Sequence, residues 1–216
     1  MDFNLFLLAI IAANVIISYK GFDDVYFFRK YEFHIGSIRA GEQIRMISSG
    51  FLHVDIPHLI FNMLSLYFFA PYVFDNLSNF SFLLIYFGSL IFGSLLTLIM
   101  HKNDYSYRAV GASGAVTGIV YSAILLEPNI QIGLIFIPFV HISGYLFGLL
   151  YLLYSIYGMK AKSDNIGHTA HFGGAIGGYL ITLLKEPSIV TEQTFLVVVL
   201  AIPIVLLYFL QKKGSL

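Results

Sequence analysis

The chain has 216 residues, of which 58% are hydrophobic and 11% are charged, and its mean hydropathy is +0.81. These values are typical of an integral membrane protein held in the lipid bilayer, and at this length we expect a single domain over residues 1–216. The formal net charge is zero and no basic tract is present, which argues against a nucleic-acid partner. The chain contains no cysteine, which excludes disulfides, thiolate metal sites and a cysteine nucleophile.

Apolar windows predict seven membrane-spanning helices and hence an all-α polytopic membrane protein. The windows cover about 3–19, 57–74, 80–100, 112–126, 130–157, 167–185 and 194–211. We interpret the first window as a spanning helix and not as a cleaved signal, because Asp2 interrupts the basic segment that a signal requires. Asp55 and Pro57 predict an N-cap and an early helical proline, so the second span should begin just before His58.

The fourth span is short and begins within the segment Gly111–Gly118. At ~1.5 Å per residue, a helix from Ala112 to Leu126 covers roughly 22 Å of a hydrocarbon core that is about 30 Å thick, so it begins below one membrane surface. Ser113 lies in its first turn, where backbone N–H groups lack helical partners and the helix dipole is positive. This hydroxyl is a candidate nucleophile with half of an oxyanion hole. The alternative is a packing helix that the serine merely caps.

Polar groups in two other spans converge on this serine. Ionisable side chains are costly at membrane depth, so each one is a functional hypothesis by default. His58 and Asn62 lie four residues apart on one face of the second span, and His171 lies near the start of the sixth. Because spans two, four and six run in the same direction, these residues and Ser113 should meet near one membrane face.

The residue types fit acyl transfer. A histidine beside Ser113 can take the serine proton and return it to a leaving amine. Asn62, His58 and the Ser113 N–H could donate hydrogen bonds to the tetrahedral oxyanion. The predicted spans supply no Asp or Glu to orient the imidazole of His171, so we expect a dyad and not a triad.

Glycines predict which helices are in contact. Small residues four apart let helix backbones approach closely in membranes. Such pairs occur at Gly114/Gly118 in the fourth span and at Gly173/Gly177 and Gly174/Gly178 in the sixth. We assign Gly111 to the same packing function. Contact between these faces would bring Ser113 close to His171.

The remaining histidines favour less specific interpretations. We interpret His141 as a packing histidine in the middle of the fifth span, and His53 and His101 as loop residues at the surface or in support of the site. His168 and His171 form an HxxH pair that could bind a metal together with His58. The HExxH motif is absent and no carboxylate lies nearby, so we expect no metal and no cofactor.

Three segments closely resemble the rhomboid family of intramembrane serine proteases, in order and in spacing. They are His53–Asn62, Gly111–Gly114 and Ala170–Gly174 with Gly178. The resemblance implies a bundle of six core helices over about 1–186 and a seventh helix at about 194–211. It also implies cleavage of the transmembrane segments of other membrane proteins near their outer ends.

The same resemblance implies roles for the individual residues. Ser113 would be the nucleophile and His171 the general base. His58 and Asn62 would form the oxyanion hole together with the Ser113 amide, and His53 would support them.

The chain departs from the family pattern at two positions. Many relatives carry a tyrosine four residues after the serine, packed against the histidine, and here that position is Thr117. We expect Tyr121 or Phe172 to orient His171 instead. The tryptophan that many relatives place before the arginine of the first loop is replaced by Ile44.

Charge opposes the orientation that the family implies. With a cytoplasmic N-terminus and seven spans, every Lys and Arg except Lys185 would lie on the outer side, whereas the positive-inside rule favours the reverse. We keep the family orientation, in a bacterial cytoplasmic membrane, because the first loop around Arg45 resembles a membrane-embedded loop.

Two other functions fit parts of the sequence. A catalytically inactive rhomboid-like protein that binds membrane clients usually lacks the serine or the histidine, and both are present here. A transporter would be expected to carry membrane-embedded carboxylates or paired broken helices, and the sequence shows neither.

Overall fold

The computed structural model describes residues 4–133, 141–161 and 167–213, in which a helical bundle carries two short strand pairs. The elements in chain order are α1 (Leu5–Asp23), α2 (Val25–Tyr31), β1 (Phe33–His34), α3 (Ile35–Arg39), α4 (Arg45–Ser48), a 3₁₀ turn (Ser49–Phe51), α5 (Ile56–Asn76), α6 (Asn79–Met100), β2 (Arg108–Ala109), α7 (Ser113–Leu126), β3 (Gln131–Gly133), β4 (His141–Ser143), α8 (Gly144–Ala161), α9 (His168–Lys185), α10 (Ser188–Glu192) and α11 (Thr194–Lys212). The predicted class, an all-α polytopic membrane protein, is confirmed.

Several predicted spans coincide with helices. Among the described residues, α1, α5, α6 and α11 are long and apolar enough to cross a membrane. α7 has 14 residues and begins at Ser113, so the predicted short fourth helix is confirmed. The Asp55 carboxylate accepts a hydrogen bond of 2.7 Å from the His58 N–H, and Pro57 lies in the first turn of α5. The predicted start of the second span is therefore confirmed as well.

The predicted fifth span, 130–157, begins too early. α8 starts at Gly144, and it follows β3 and β4, which pair antiparallel. His141 is consequently an exposed strand residue and not a histidine in the middle of a helix. Hydropathy averaged over a window does not distinguish an apolar strand rich in β-branched residues from a helix. The part of this prediction at 134–140 lies outside the described residues.

The segment between α1 and α5 is tied to the loop that precedes α7. Arg45 is buried, and its guanidinium donates to the backbone carbonyls of Arg29 and Glu32 at 2.8 and 3.1 Å. The buried carboxylate of Glu32 accepts a hydrogen bond from Arg108, five residues before Ser113. β1 and β2 pair antiparallel at the same place. The backbone leading to Ser113 is thereby held from two sides.

The centre of the bundle consists of α6, α7 and α9, which pack against one another. A Cβ added at Gly174 would lie 1.9 Å from the Gly114 carbonyl oxygen, and one added at Gly178 would lie 2.1 Å from the Gly118 carbonyl oxygen. The two helix backbones therefore touch, as the glycine pattern predicts for the fourth and sixth spans. α11 packs mainly on α8, at the edge of the bundle.

Candidate active site

The close contact between α7 and α9 brings two polar side chains together. Ser113 is the first residue of α7, and His171 lies in the first turn of α9 with only 9% of its surface exposed. The Nε2 atom of His171 lies 2.6 Å from the Oγ atom of Ser113. This distance lies within the range at which a histidine can accept a proton from a serine hydroxyl.

The second ring nitrogen of His171 contacts a residue that the sequence did not suggest. Its Nδ1 atom lies 2.8 Å from the hydroxyl oxygen of Tyr151 in α8, and the two rings stack with centroids 5.9 Å apart. The contact is made by Tyr151, and not by Tyr121 or Phe172, which we expected to orient the histidine. Tyr121 instead donates a hydrogen bond to the Gly148 carbonyl, and Phe172 is fully buried in the core.

His58 lies beside the backbone that leads to the serine. Gly111 has a φ of +128°, in the left-handed region that favours glycine, and a Cβ added there would lie 2.8 Å from two atoms of the His58 ring. The same Cβ would lie 3.7 Å from the Ser113 hydroxyl. The assignment of Gly111 to helix packing is therefore wrong, because this glycine precedes α7 and makes room for an imidazole.

Asn62 carries a buried amide group one turn along α5 from His58. Its side chain is 6% exposed, and its Nδ2 atom has no hydrogen-bond partner in the described part of the chain. An unpaired buried donor costs free energy unless an acceptor reaches it. The amide is therefore suited to an acceptor that arrives with a bound molecule.

His53 is fully buried and links three segments, which excludes the surface alternative and agrees with the interpretation that it supports the site. The Ser18 hydroxyl donates to the Phe51 carbonyl at 2.9 Å, so its oxygen accepts from His53 Nδ1 at 2.8 Å. The Nε2 atom of His53 then accepts from the Ala112 N–H at 3.4 Å. Burial, reinforced by the nearby His58, lowers the pKa of His53 to about 3, so the ring is neutral. His53 anchors the residue that precedes Ser113.

A small cavity adjoins the serine on its side facing α6. It measures about 40 Å³, and the residues lining it include Ser49, Ser94, Thr97, Gly111, Ser113 and Ala170. A volume of this size accommodates a few water-sized molecules.

The other histidines do not assemble a metal centre in the ranges that the structure describes. No group of three or more His, Asp or Glu side chains there could hold an ion. The rings of His168 and His171 lie edge to face with centroids 6.3 Å apart, and His168 packs under Gly158 of α8 and against Tyr154. His101 stacks on Tyr107 in the loop before α7.

The fold and the site together define a class: polytopic α-helical membrane proteins with a serine and a histidine in contact at the start of a short buried helix. The family model described as Rhomboid domain matches residues 40–187, which is more than half of the chain. The chain belongs to the rhomboid family, whose members include intramembrane proteases, and it is an integral, multi-pass membrane protein.

Individual relatives agree with this assignment. The chain is 36% identical to YdcA of Bacillus subtilis over 149 residues, which cover 68% of this chain and 69% of that protein. It is 27% identical over 183 residues to RHOMBOID-like protein 12, mitochondrial, of Arabidopsis thaliana, covering 78% of this chain and 54% of the relative. It is also 29% identical to the rhomboid protease GluP of Bacillus subtilis over 142 residues, 66% of this chain and 26% of GluP. The chain therefore spans about half of the Arabidopsis protein and a quarter of GluP.

Proposed function

We propose that this protein is an intramembrane serine endopeptidase that cleaves transmembrane segments of other membrane proteins with a Ser113–His171 dyad. The observation that carries the proposal is the 2.6 Å contact between His171 Nε2 and Ser113 Oγ at a helix start inside the bundle. A hydroxyl activated by a neighbouring base is the arrangement that nucleophilic catalysis requires. Family membership supports the same reaction class.

The reaction proceeds through an ester on the serine. Ser113 Oγ attacks the carbonyl carbon of the scissile peptide bond while its proton passes to His171 Nε2. The carbon–nitrogen bond then breaks, and His171 gives that proton to the leaving amine. Water then attacks the resulting ester while His171 takes a proton from it. The ester carbon–oxygen bond breaks, and His171 returns that proton to Ser113 Oγ as the carboxylic acid product leaves.

Three donors are available for the oxyanion that forms in both steps. The Ser113 N–H lies at the N-terminus of α7, where the helix dipole is positive and the N–H has no helical partner. His58 lies beside Gly111, and Asn62 offers an amide hydrogen that is otherwise unpaired. Donors fixed in a buried site stabilise developing charge more strongly than donors in water.

Incubation of the purified protein in detergent with a model transmembrane substrate tests the proposal. We expect the wild type and a Ser188→Ala control, which alters an exposed serine, to cleave the substrate, whereas Ser113→Ala should not. Cleavage by Ser113→Ala would refute the proposal that Ser113 is the nucleophile. Binding without cleavage by the wild type would instead support the inactive, client-binding alternative.

Asn62→Ala separates catalysis from packing. If Asn62 only bonds between helices, its removal should cost about 0.6 kcal/mol of stability and leave turnover of the folded protein nearly intact. As an oxyanion donor, it should lower kcat by roughly 10- to 10²-fold, because the loss of one such donor costs on the order of 10²–10³ and two others remain. KM should hardly change, because the ground-state carbonyl gains less from the donor. If Asn62→Ala keeps the kcat of the wild type, Asn62 serves only in helix packing.

We further propose that the protein lies in a bacterial cytoplasmic membrane with the N-terminal ends of α5, α7 and α9 facing outward. Ser106 and Ser188 are exposed near opposite ends of the bundle, and the chain contains no cysteine. In whole cells, Ser106→Cys should react with an impermeant maleimide, and Ser188→Cys should react only after lysis. The reverse pattern would show that the positive-inside rule determines the orientation instead.

A further inference from the structure

Four side chains around the candidate dyad contact one another in a closed ring. Ser113 Oγ lies 2.6 Å from His171 Nε2, and His171 Nδ1 lies 2.8 Å from the Tyr151 hydroxyl. That hydroxyl lies 3.4 Å from Thr117 Oγ1, which donates a hydrogen bond of 2.7 Å to the backbone carbonyl of Ser113. The ring therefore starts and ends on the same serine.

The carbonyl fixes the direction of every hydrogen bond in this ring. A carbonyl oxygen only accepts, so the Thr117 proton is committed to it, and the contact between Tyr151 and Thr117 must use the tyrosine proton. The tyrosine oxygen then accepts from Nδ1–H of a neutral imidazole. A neutral imidazole with its proton on Nδ1 has an unprotonated Nε2, which accepts the Ser113 hydroxyl proton. With these directions, each of the four contacts contains one proton.

We propose that Tyr151 is a positioning residue that holds His171 in the tautomer and ring orientation required of a general base. This inference rests on the proposed function. The predicted spans supply no Asp or Glu to orient the imidazole of His171, and Tyr151 takes that role instead. A hydrogen bond at the second ring nitrogen sets the tautomer of a histidine. Tyr151 makes this bond and also stacks on the ring, so it restrains both the proton and the plane of the imidazole.

Contacts with α7 and α11 hold α8 in the position that places Tyr151 against His171. Gly148, one turn before Tyr151, accepts a hydrogen bond from Tyr121 of α7. A Cβ added at Gly148 would lie 2.9 Å from Leu200 of α11, so α11 closes the other side. Phe147 stacks on Tyr151 within α8, with centroids 5.8 Å apart. The orientation of His171 thus depends on how α8 packs between α7 and α11.

Tyr151→Phe tests the proposal, because it keeps the stacked ring and removes only the hydroxyl. We expect kcat on a transmembrane substrate to fall by about 10-fold, less than the ~10²-fold that a 1 Å misplacement costs, with KM unchanged. Tyr157→Phe is the matched control, since it removes the same hydroxyl from an exposed tyrosine of the same helix. Thr117→Val should lower kcat less. Tyr151 then lacks its acceptor and can donate to Nδ1, but its hydroxyl is still present and can also accept from Nδ1–H.

The ¹⁵N chemical shifts of the histidine ring provide a second readout that does not require activity. In the wild type, the signals that disappear in His171→Ala should report a proton on Nδ1, and both Tyr151→Phe and Thr117→Val should move the proton towards Nε2. Unchanged kcat and unchanged shifts in Tyr151→Phe would overturn the inference and leave the proposed dyad intact. A wild type that neither cleaves nor reacts with a serine probe would refute the proposed function, while the ¹⁵N comparison would still decide the tautomer.

Discussion

Replacement of His171 by alanine is expected to lower the rate at which a fluorophosphonate probe labels Ser113 by about 10²- to 10⁴-fold, the range that a positioned general base contributes. The probe reacts with a serine only when the hydroxyl proton can be removed during attack on phosphorus. In this structure, the His171 Nε2 atom at 2.6 Å is placed to remove it. Labelling rates of the purified protein in detergent, followed by gel fluorescence, measure the effect.

Two further variants make the labelling result specific. Ser113→Ala should abolish labelling, because no other serine should be activated in the same way. His141→Ala is the histidine control, since His141 is exposed in β4, which pairs with β3 before α8. Undiminished labelling of either His171→Ala or Ser113→Ala would contradict the dyad, and a loss in His141→Ala would indicate general destabilisation.

The approach of Ser113 to His171 could be anticipated because it follows from local periodicity. GxxxG spacing in two spans that run in the same direction predicts that their backbones touch, and both side chains lie near the N-termini of those spans. Each element of this reasoning needs only the spacing of residues within one helix. The contact between α7 and α9 and the 2.6 Å distance are the corresponding structural facts.

The contact between Tyr151 and His171 could not be anticipated, because it requires knowing which face of α8 packs against α9. The predicted span began at 130, whereas the helix begins at Gly144. The helix carries four tyrosines, Tyr145, Tyr151, Tyr154 and Tyr157, and composition does not distinguish them. Without a correct start, the face that each tyrosine presents to His171 is undetermined. The contact is therefore a property of the tertiary packing.

The burial of His53 shows the same limit in a loop. Its neighbours in sequence are typical of a connecting segment, and connecting segments usually run over the protein surface. Here the loop is covered by α1, whose Ser18 lies 35 positions earlier and accepts the proton of the ring. The proton position of His53 follows from the Ser18 hydroxyl, which is committed to the Phe51 carbonyl. This pairing leaves no signal in the sequence, because the loop and the helix that covers it are far apart along the chain.

Gly174→Ala is expected to lower kcat by about 10²-fold or more, because a displacement of 1 Å in a catalytic pair costs that much. The added Cβ would lie 1.9 Å from the Gly114 carbonyl oxygen, and backbone cannot rotate away as a side chain can. Gly114 directly follows Ser113, and Gly174 lies three residues after His171. Separation of the two helices at this point therefore moves the nucleophile and the base apart. Turnover and labelling rates of the purified variant measure the loss.

The sign of the stability change makes this prediction selective. In a helix interior, alanine is favoured over glycine by about 1 kcal/mol, so propensity alone would stabilise the variant. Overpacking typically costs about 1–3 kcal/mol, so the melting temperature of Gly174→Ala should fall. Gly88→Ala in α6 is the matched control, because its Cβ would meet only the tip of Ile181, which can change rotamer. If Gly174→Ala were as active and as stable as Gly88→Ala, the backbone contact between α7 and α9 would not position the dyad.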